Sequence, residues 1–163
     1  MSSFDRRTLL LMPLALAACG FEPVYAPGGS GSALDGKVEV SAPNTVESFL
    51  LVQNLERKLG RSATSGNEYK LDVGVSTVTR RASITTANET NRYTIDGNAT
   101  YALKSNATGQ VIASGNVTEF VGYSAAGSTV STLADERDAT ERLMVILADQ
   151  IVNRLYATPG LST

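Results

Sequence analysis

Histidine and tryptophan are absent from this 163-residue chain, and cysteine occurs only once. Without histidine, the Ser-His and Cys-His nucleophile pairs and the usual histidine zinc sites are excluded. A single cysteine excludes an internal disulfide and any CxxC metal motif. Lys and Arg number 14 against 16 Asp and Glu, so the formal net charge is −2. We therefore expect no nucleic-acid partner, no metal ion and no non-covalent cofactor.

The N-terminus has the composition of a secretion signal. Arg6 and Arg7 form a short basic region, residues 8–16 form a short apolar region, and Ala17 and Ala18 are the small residues that precede a cleavage site. The apolar run is far shorter than the ~20 residues that a membrane-spanning helix needs. The arginine pair also resembles a twin-arginine signal, which leaves both Sec and twin-arginine export open.

The single cysteine follows this segment directly. Leu16-Ala17-Ala18-Cys19 resembles the bacterial lipobox, in which the chain is cut before the cysteine and the thiol is diacylated. We predict residues 1–18 as a lipoprotein signal peptide and Cys19 as the site of a covalent lipid. The alternative is an ordinary secretory signal that leaves Cys19 as a free thiol. Gly20 favours the outer membrane, because enteric lipoproteins that stay in the inner membrane typically carry Asp at that position.

The mature chain is predicted to contain one domain. Residues 19–36 form the lipidated N-terminus and a flexible tether, because residues 26–36 are rich in glycine, serine and proline. Residues 37–163 then form a single domain, whose length lies within the roughly 100–200 residues of a typical domain.

The domain opens with a short alternating strand at residues 37–41, followed by a helix. Asn44 is the predicted N-cap of this helix, Glu47 completes a capping box, and Gly60 ends it. Its apolar stripe consists of Phe49, Val52, Leu55 and Leu59, widened by Leu50 and Leu51.

Three longer segments alternate between apolar and polar residues. Such alternation predicts strands of a sheet that is covered on one side only. The short turn at residues 105–109 makes the second and third of them an antiparallel hairpin. The apolar positions are Tyr69, Leu71, Val73 and Val75, then Tyr93, Ile95, Ala99, Tyr101 and Leu103, then Val111, Ala113, Val117, Val121 and Tyr123.

A long helix is predicted from about Ser131 to Tyr156. Asp135, Glu136 and Asp138 near its start fit the positive end of the helix dipole. Its apolar stripe consists of Leu133, Leu143, Met144, Leu147, Ile151 and Leu155. The predicted fold class is therefore α+β, a two-layer sandwich in which two amphipathic helices cover one face of a four-stranded mixed sheet in the order β-α-β-β-β-α.

The residues after the lipobox resemble a known family. Cys19-Gly20-Phe21-Glu22-Pro23-Val24-Tyr25 is similar to the mature N-terminus of LptE, the lipopolysaccharide-assembly lipoprotein family. Alphaproteobacterial members of that family tend to begin Cys-Gly-Phe-x-Pro-(Leu/Val)-Tyr. The order of the elements, Arg92-Tyr93 at the third strand and residues 133–136 before the last helix also fit the family.

The resemblance implies a non-enzymatic protein. Members of this family are anchored in the inner leaflet of the outer membrane, face the periplasm, and sit as a plug in the lumen of the β-barrel protein LptD. The pair moves lipopolysaccharide to the cell surface, and no bond is made or broken. Thr, Ser and Asn at even-numbered strand positions suit such a wet lumen, as they also suit plain solvent.

Binding the phosphates of lipid A requires cationic donors. Arg80, Arg81 and Arg92 flank residues 82–91, the predicted connection between the second and third strands, and are the candidate phosphate contacts. An ordinary solvated turn with edge-strand charges explains the same three residues equally well.

Two other classes of function remain open. An auxiliary lipoprotein of an ABC-type lipid transporter also joins an anchor to a small α/β domain, and it associates with transporter subunits instead of a barrel. An enzyme that uses carboxylates alone would need Asp72 and Asp96 as an acid–base pair. The Lys, Ser and Thr residues around them favour ordinary solvated carboxylates.

Overall fold

The fold is seen in a computed structural model that describes residues 29–60, 68–84, 90–125, 128–159 and 161. From β1 onward the elements follow the predicted β-α-β-β-β-α order, so the α+β fold class is confirmed. In chain order the elements are α1 (Ser30–Leu34), β1 (Val38–Val40), α2 (Val46–Leu59), β2 (Tyr69–Ile84), β3 (Thr90–Ser105), β4 (Val111–Ser124) and α3 (Thr129–Tyr156).

The four strands form a mixed sheet in the order β1-β2-β3-β4. β1 runs parallel to β2, whereas β2, β3 and β4 are antiparallel to their neighbours. The N–H of Gly109 donates to the carbonyl of Ser105 at 2.8 Å and closes the turn between β3 and β4, which confirms the predicted hairpin. β2 and β3 include residues 82–84 and 90–91, which the sequence had assigned to their connection.

The start of β4 departs from simple alternation. Leu103 pairs with Ala113 but Lys104 pairs with Val111, so Ile112 is the extra residue of a β-bulge. Val111 consequently lies on the same face as Lys104 and is exposed, whereas Ile112 packs against the core. The prediction that Val111 belongs to the apolar face was wrong, because alternation in a sequence does not reveal an inserted residue.

The core lies between the sheet and the two long helices. α3 packs against β3 and β4, and α2 packs against β1, β2 and α3. The helices run in the same direction. The start of α2 lines a groove with the first turns of α3, where Val46 and Leu133 both contribute. Lys58, near the end of α2, pairs with Asp149 in the second half of α3. The largest fully buried side chains include Leu51, Leu55, Leu59, Leu71, Leu103, Leu143, Met144, Leu147, Ile151 and Leu155.

Two residues of the predicted apolar stripes are not in the core. Phe49 is 55% exposed and Leu133 is 50% exposed. α3 begins at Thr129, with Ser128 as its N-cap, and its first buried residue is Ala139. Its first turns therefore project past the core, and Leu133 projects with them.

The early start of α3 also changes the position of its acidic residues. The first turn of α3 holds no acidic residue, so Asp135, Glu136 and Asp138 lie further along the helix than the sequence indicated. The interaction with the helix dipole is confined to the first and last turns. The predicted dipole interaction was therefore wrong.

The N-terminus of α2 has a capping box, but with different residues from those predicted. Thr45 is the N-cap, and its side chain accepts the N–H of Ser48 at 3.1 Å. The Ser48 hydroxyl in turn accepts the N–H of Thr45 at 2.8 Å. Asn44 and Glu47 do not form the box, because the helix starts one residue later than the pattern indicated.

Part of the predicted flexible tether is ordered. Residues Ser30–Leu34 form α1, and Leu34 is fully buried in the core. The N–H of Gly36 donates to the carbonyl of Leu59 at 2.8 Å, which ties the end of α1 to the end of α2. The tether prediction was wrong for residues 30–36, because a single buried leucine holds a segment whose composition otherwise indicates flexibility. Residues 19–28 lie outside the described residues.

Gly60 lies at the junction of α1 and α2 with a φ of +74°. A Cβ at this position would clash with the Asp35 carboxylate and would lie 2.8 Å from the N atom of Gly36. Gly109 has a similar φ of +70°, but no atom lies within 4 Å of its Cβ position.

We predict that Gly60→Ala lowers the free energy of unfolding more than Gly109→Ala does. The left-handed backbone costs about 1 kcal/mol in each variant, and only Gly60→Ala adds a backbone clash, for a total of about 3 kcal/mol. Urea unfolding followed by circular dichroism measures both losses. Equal losses would show that the junction relaxes to accept the methyl group.

Candidate functional site

The predicted lipid anchor lies outside the described part of the chain. Leu16, Ala17, Ala18 and Cys19 all precede Gly29, the first described residue, and their roles stay predictions.

The three candidate arginines lie where β2 ends and β3 begins. Arg81 is directly opposite Tyr93, and Arg80 and Arg92 are diagonal neighbours across the same two strands. All three side chains are exposed. The three arginines therefore lie at one end of the sheet.

These arginines do not share one face of the sheet. Ile95 and Ala99 of β3 are buried, so odd-numbered residues of β3 face the helices and even-numbered residues face away. The register places Arg80 and Arg92 on the side away from the helices, and Arg81 on the helix side. A single flat ligand surface cannot meet all three guanidinium groups without wrapping around the β2–β3 hairpin.

The three arginines also differ in whether an acidic side chain already pairs with the guanidinium group. The Arg80 Nε atom lies 2.7 Å from the Asp96 Oδ2 atom, so an ion pair already engages this guanidinium. Arg81 and Arg92 have no acidic partner among the residues that the structure describes. Arg81 and Arg92 are therefore better placed than Arg80 to bind an anion.

An aromatic pair lies beside Arg81 on the helix side of the sheet. The rings of Tyr93 and Tyr123 stack at 5.4 Å between centroids, with 14° between their planes. Burial, reinforced by the nearby charge of Glu136, raises the pKa of Tyr123. Arg81, Tyr93 and Tyr123 thus form one row across three strands, which the sequence reading had not identified.

The side of the sheet away from the helices, here called the outer face, is mostly polar and carries the ion pairs Arg80–Asp96 and Lys104–Asp72. The Asn116 amide donates to the Asn98 Oδ1 atom at 2.7 Å, which links β3 and β4 across this face. Val78, Phe120 and Val111 are large apolar exceptions, at 55%, 69% and 54% exposure. Val78 and Phe120 flank Asp96 in one row. The other side chains that define the face include Asp72, Ser76, Thr94, Thr100, Ser114 and Thr118.

The LptE family model, described as lipopolysaccharide-assembly, matches residues 37–155 of this chain. The chain belongs to the LptE family. The match covers every described element from β1 to α3, apart from the last residue of α3. The short helix α1 precedes the matched region.

Solved structures of bacterial lipoproteins share this fold. A lipoprotein from Caulobacter crescentus is 23% identical, with a TM-score of 0.66, and the match covers 78% of this chain and 93% of that one. Rare lipoprotein B from Shewanella oneidensis is 12% identical, with a TM-score of 0.57 and coverage of 75% and 93%. Lipoprotein B from Nitrosomonas europaea is 15% identical, with a TM-score of 0.53 and coverage of 85% and 91%. No curated protein sequence matches the chain.

The described residues of this LptE-family chain provide neither a membrane-spanning helix nor a metal site. None of their helices combines the length and apolarity needed to cross a bilayer. The same residues contain no group of three or more His, Cys, Asp or Glu that could hold a metal ion.

The proposed carboxylate pair does not form. Asp72 is opposite Ala102 and Asp96 is opposite Val78, so six residues of β3, about 20 Å, separate the two carboxylates. The Lys104 ammonium donates to the Asp72 Oδ2 atom at 2.7 Å, and this hydrogen bond lowers the pKa of Asp72 from its usual 3.8. A general acid needs a raised pKa. The acid–base hypothesis was therefore wrong, because the two carboxylates are too far apart and the pKa of Asp72 is lowered instead of raised.

We predict that Asp72→Asn lowers the free energy of unfolding at neutral pH by about 0.5 kcal/mol, because the ion pair is partly exposed. The pKa of Asp72 is lower in the folded state than in the unfolded state. The stabilisation is therefore present above the unfolded pKa and is lost as the pH falls through the folded pKa. Urea unfolding of both proteins at about pH 7 and about pH 2 checks this. A difference that persists in acid would contradict the charge mechanism.

Proposed function

We propose that this protein is an outer-membrane lipoprotein that plugs an LptD-type β-barrel and helps to assemble it for lipopolysaccharide transport to the cell surface. Membership of the lipopolysaccharide-assembly family supports the general role. The outer face of the sheet is the observation that carries the plug role. The protein makes and breaks no bond in this role.

The outer face suits a water-filled lumen. Its Ser, Thr and Asn side chains are short hydrogen-bonding groups, and water can bridge such groups to a polar barrel wall at little entropic cost. The helices cover the opposite face of the sheet, and no described element covers the outer face, which leaves this face to the barrel. Val78 and Phe120 add a local apolar contact to an otherwise polar interface.

The membrane anchor is the lipid on Cys19. One acyl chain binds a membrane only marginally, and two or more hold it stably. A lipidated Cys19 keeps the domain at the periplasmic side of the outer membrane, where it meets the barrel.

Lipopolysaccharide contacts the exposed arginines at the end of the β2–β3 hairpin. Arg81 and Arg92 bind phosphate groups of lipid A, because guanidinium groups form paired, charge-assisted hydrogen bonds with phosphate. Arg80 contributes less, because it is already paired with Asp96.

The barrel partner is tested by a pull-down of the tagged, lipidated protein from outer membranes in mild detergent, with mass spectrometry of the co-purified proteins. We expect a large LptD-type barrel. Thr100→Arg on the outer face reduces its recovery several-fold, whereas Gln53→Arg on the exposed side of α2 does not. Cys19→Ser removes the lipid but keeps the barrel interaction in a soluble reconstitution.

Two outcomes of the pull-down would contradict the plug role. Recovery of inner-membrane transporter subunits in place of a barrel would favour the auxiliary lipoprotein of an ABC-type transporter. Equal loss of the barrel in Thr100→Arg and Gln53→Arg would show that the outer face is not the contact surface.

The arginine contacts are tested with the double variant Arg81→Gln/Arg92→Gln. Each guanidinium–phosphate contact contributes about 1.5 kcal/mol, so we expect affinity for lipid A to fall at least about tenfold. Arg57→Gln, near the far end of α2, serves as the control and leaves the affinity unchanged. Titration calorimetry with phosphorylated and dephosphorylated lipid A separates the charge contribution. Wild-type affinity in the double variant would overturn the assignment.

A further inference from the structure

One edge of the sheet is open along most of β2. β1 pairs with β2 only from Tyr69 to Leu71. Beyond this point the Ser41 hydroxyl accepts the N–H of Val73 at 3.1 Å, and the chain then turns away through Pro43 toward α2. The rest of β2 has β3 on one side and no strand on the other within the described residues.

The register identifies the open main-chain groups. The N–H of Tyr69 donates to the Lys37 carbonyl, and the carbonyl of Leu71 accepts the N–H of Ser41, so odd-numbered residues of β2 direct their main-chain groups toward this edge. By alternation the same holds for Val75, Thr77, Thr79 and Arg81. These four N–H and four C=O groups have no partner on this side among the residues that the structure describes.

The open part of the β2 edge, residues 75–81, is here called the slot, and it is limited at both ends. Ser41 closes one end, and a β-bulge between Arg81 and Ser83 interrupts the other. Residues 75–81 span about 20 Å at about 3.3 Å per residue, which accommodates a strand of about seven residues.

Over residues 73–79 this edge lacks the features that normally prevent pairing, whereas Arg80, Arg81 and the bulge lie at one end of it. Residues 73–79 read Val-Gly-Val-Ser-Thr-Val-Thr, with no charge and no proline. Soluble proteins protect open edges with charges, prolines, bulges or covering elements. The opposite edge of the sheet has such cover, because the Arg154 guanidinium donates to the Asn116 carbonyl of β4 at 2.7 Å.

We propose that this slot receives an extended segment of another polypeptide, which adds a fifth strand beside β2. Only a polypeptide in extended conformation presents donors and acceptors at the spacing of a strand edge. The proposal is independent of the barrel assigned above, because it concerns the edge of the sheet and not its outer face. It shares Arg81 with the proposed lipid A contact, so the segment and lipid A would compete for this guanidinium.

The positive charge of Arg81 indicates one side chain of the incoming segment. Arg81 lies at the bulge end of the slot on the helix side, exposed and without an acidic partner among the described residues. An incoming strand with a carboxylate side chain beside Arg81 would pair with it. A second copy of β2 cannot supply this group, because Asp72 lies on the outer face and is bonded to Lys104.

The other end of the slot favours an apolar residue. Pro43, two residues after Ser41, also lines an open groove with Phe49 and Val52, and Gln53, Glu56 and Arg57 complete the lining. The exposed ring of Phe49 offers an apolar contact to a side chain entering from the slot. The expected segment therefore has a large apolar residue at one end, alternating β-branched residues in the middle, and an acidic residue at the other.

The test uses the lipidated protein in mild detergent with synthetic peptides. The probe is a seven-residue peptide with a terminal Leu, alternating Thr and Val, and Asp at the opposite end, made in both chain directions. In the control peptides Lys replaces Asp. We expect the Asp peptides to slow amide hydrogen exchange at Val75, Thr77, Thr79 and Arg81 by at least about tenfold, and the Lys peptides to have little effect.

Two proline variants give a matched comparison. Thr77→Pro removes an outward N–H from the open edge, a position where a folded sheet tolerates proline. Thr118→Pro removes an outward N–H from the edge of β4. We expect Thr77→Pro to weaken peptide binding at least about tenfold and Thr118→Pro to leave it unchanged. Should Thr77→Pro not fold, Arg81→Gln provides the second test, because it makes Asp and Lys peptides bind alike.

Three results would overturn the proposal. The first is no protection of the edge amides by the Asp peptides at millimolar concentration. The second is equal binding of Asp and Lys peptides to the unaltered protein. The third is protection without peptide that grows with protein concentration, because it would mean that a second copy covers the edge.

Discussion

The packing of α3 on β3 and β4 is the interaction on which the rest of this structure depends. α3 contributes eight buried residues, from Ala139 to Leu155, and they meet the odd-numbered side chains of the two strands. Because strand side chains alternate, this contact assigns the even-numbered residues of β3, and those of β4 beyond the bulge at Ile112, to the outer face. The polar surface and the position of each arginine follow from it.

The fold was largely predictable from the sequence because its two main periodicities are clear. Alternation located β2, β3 and β4 and their buried side, and helical spacing located α2 and α3. The errors arise where a local pattern carries no information about neighbouring elements. Phe49 and Leu133 fit the helical stripes, yet both are exposed. Leu133 is exposed because α3 begins ten residues before its first buried residue. The bulge at Ile112 is equally invisible to a count of alternating residues.

The candidate site was predictable in position but not in geometry. The sequence placed Arg80, Arg81 and Arg92 near one turn, and the register brings them together at that end of the sheet. Arg80 and Arg81 are adjacent in one strand, so the sequence already implied that their side chains lie on opposite faces of the sheet. The ion pair between Arg80 and Asp96 needed the register, since sixteen positions separate the two residues. The row of Arg81, Tyr93 and Tyr123 likewise depends on three strands at once.

The place of α3 behind α2 and the strands has a consequence for the order in which the core can form. Apolar side chains of β3, such as Ile95 and Leu103, lie earlier in the chain than this helix. Synthesis delivers the N-terminal elements first, so these side chains are not fully covered until α3 has been made. The chain therefore passes through a stage in which one face of the forming sheet is apolar and exposed.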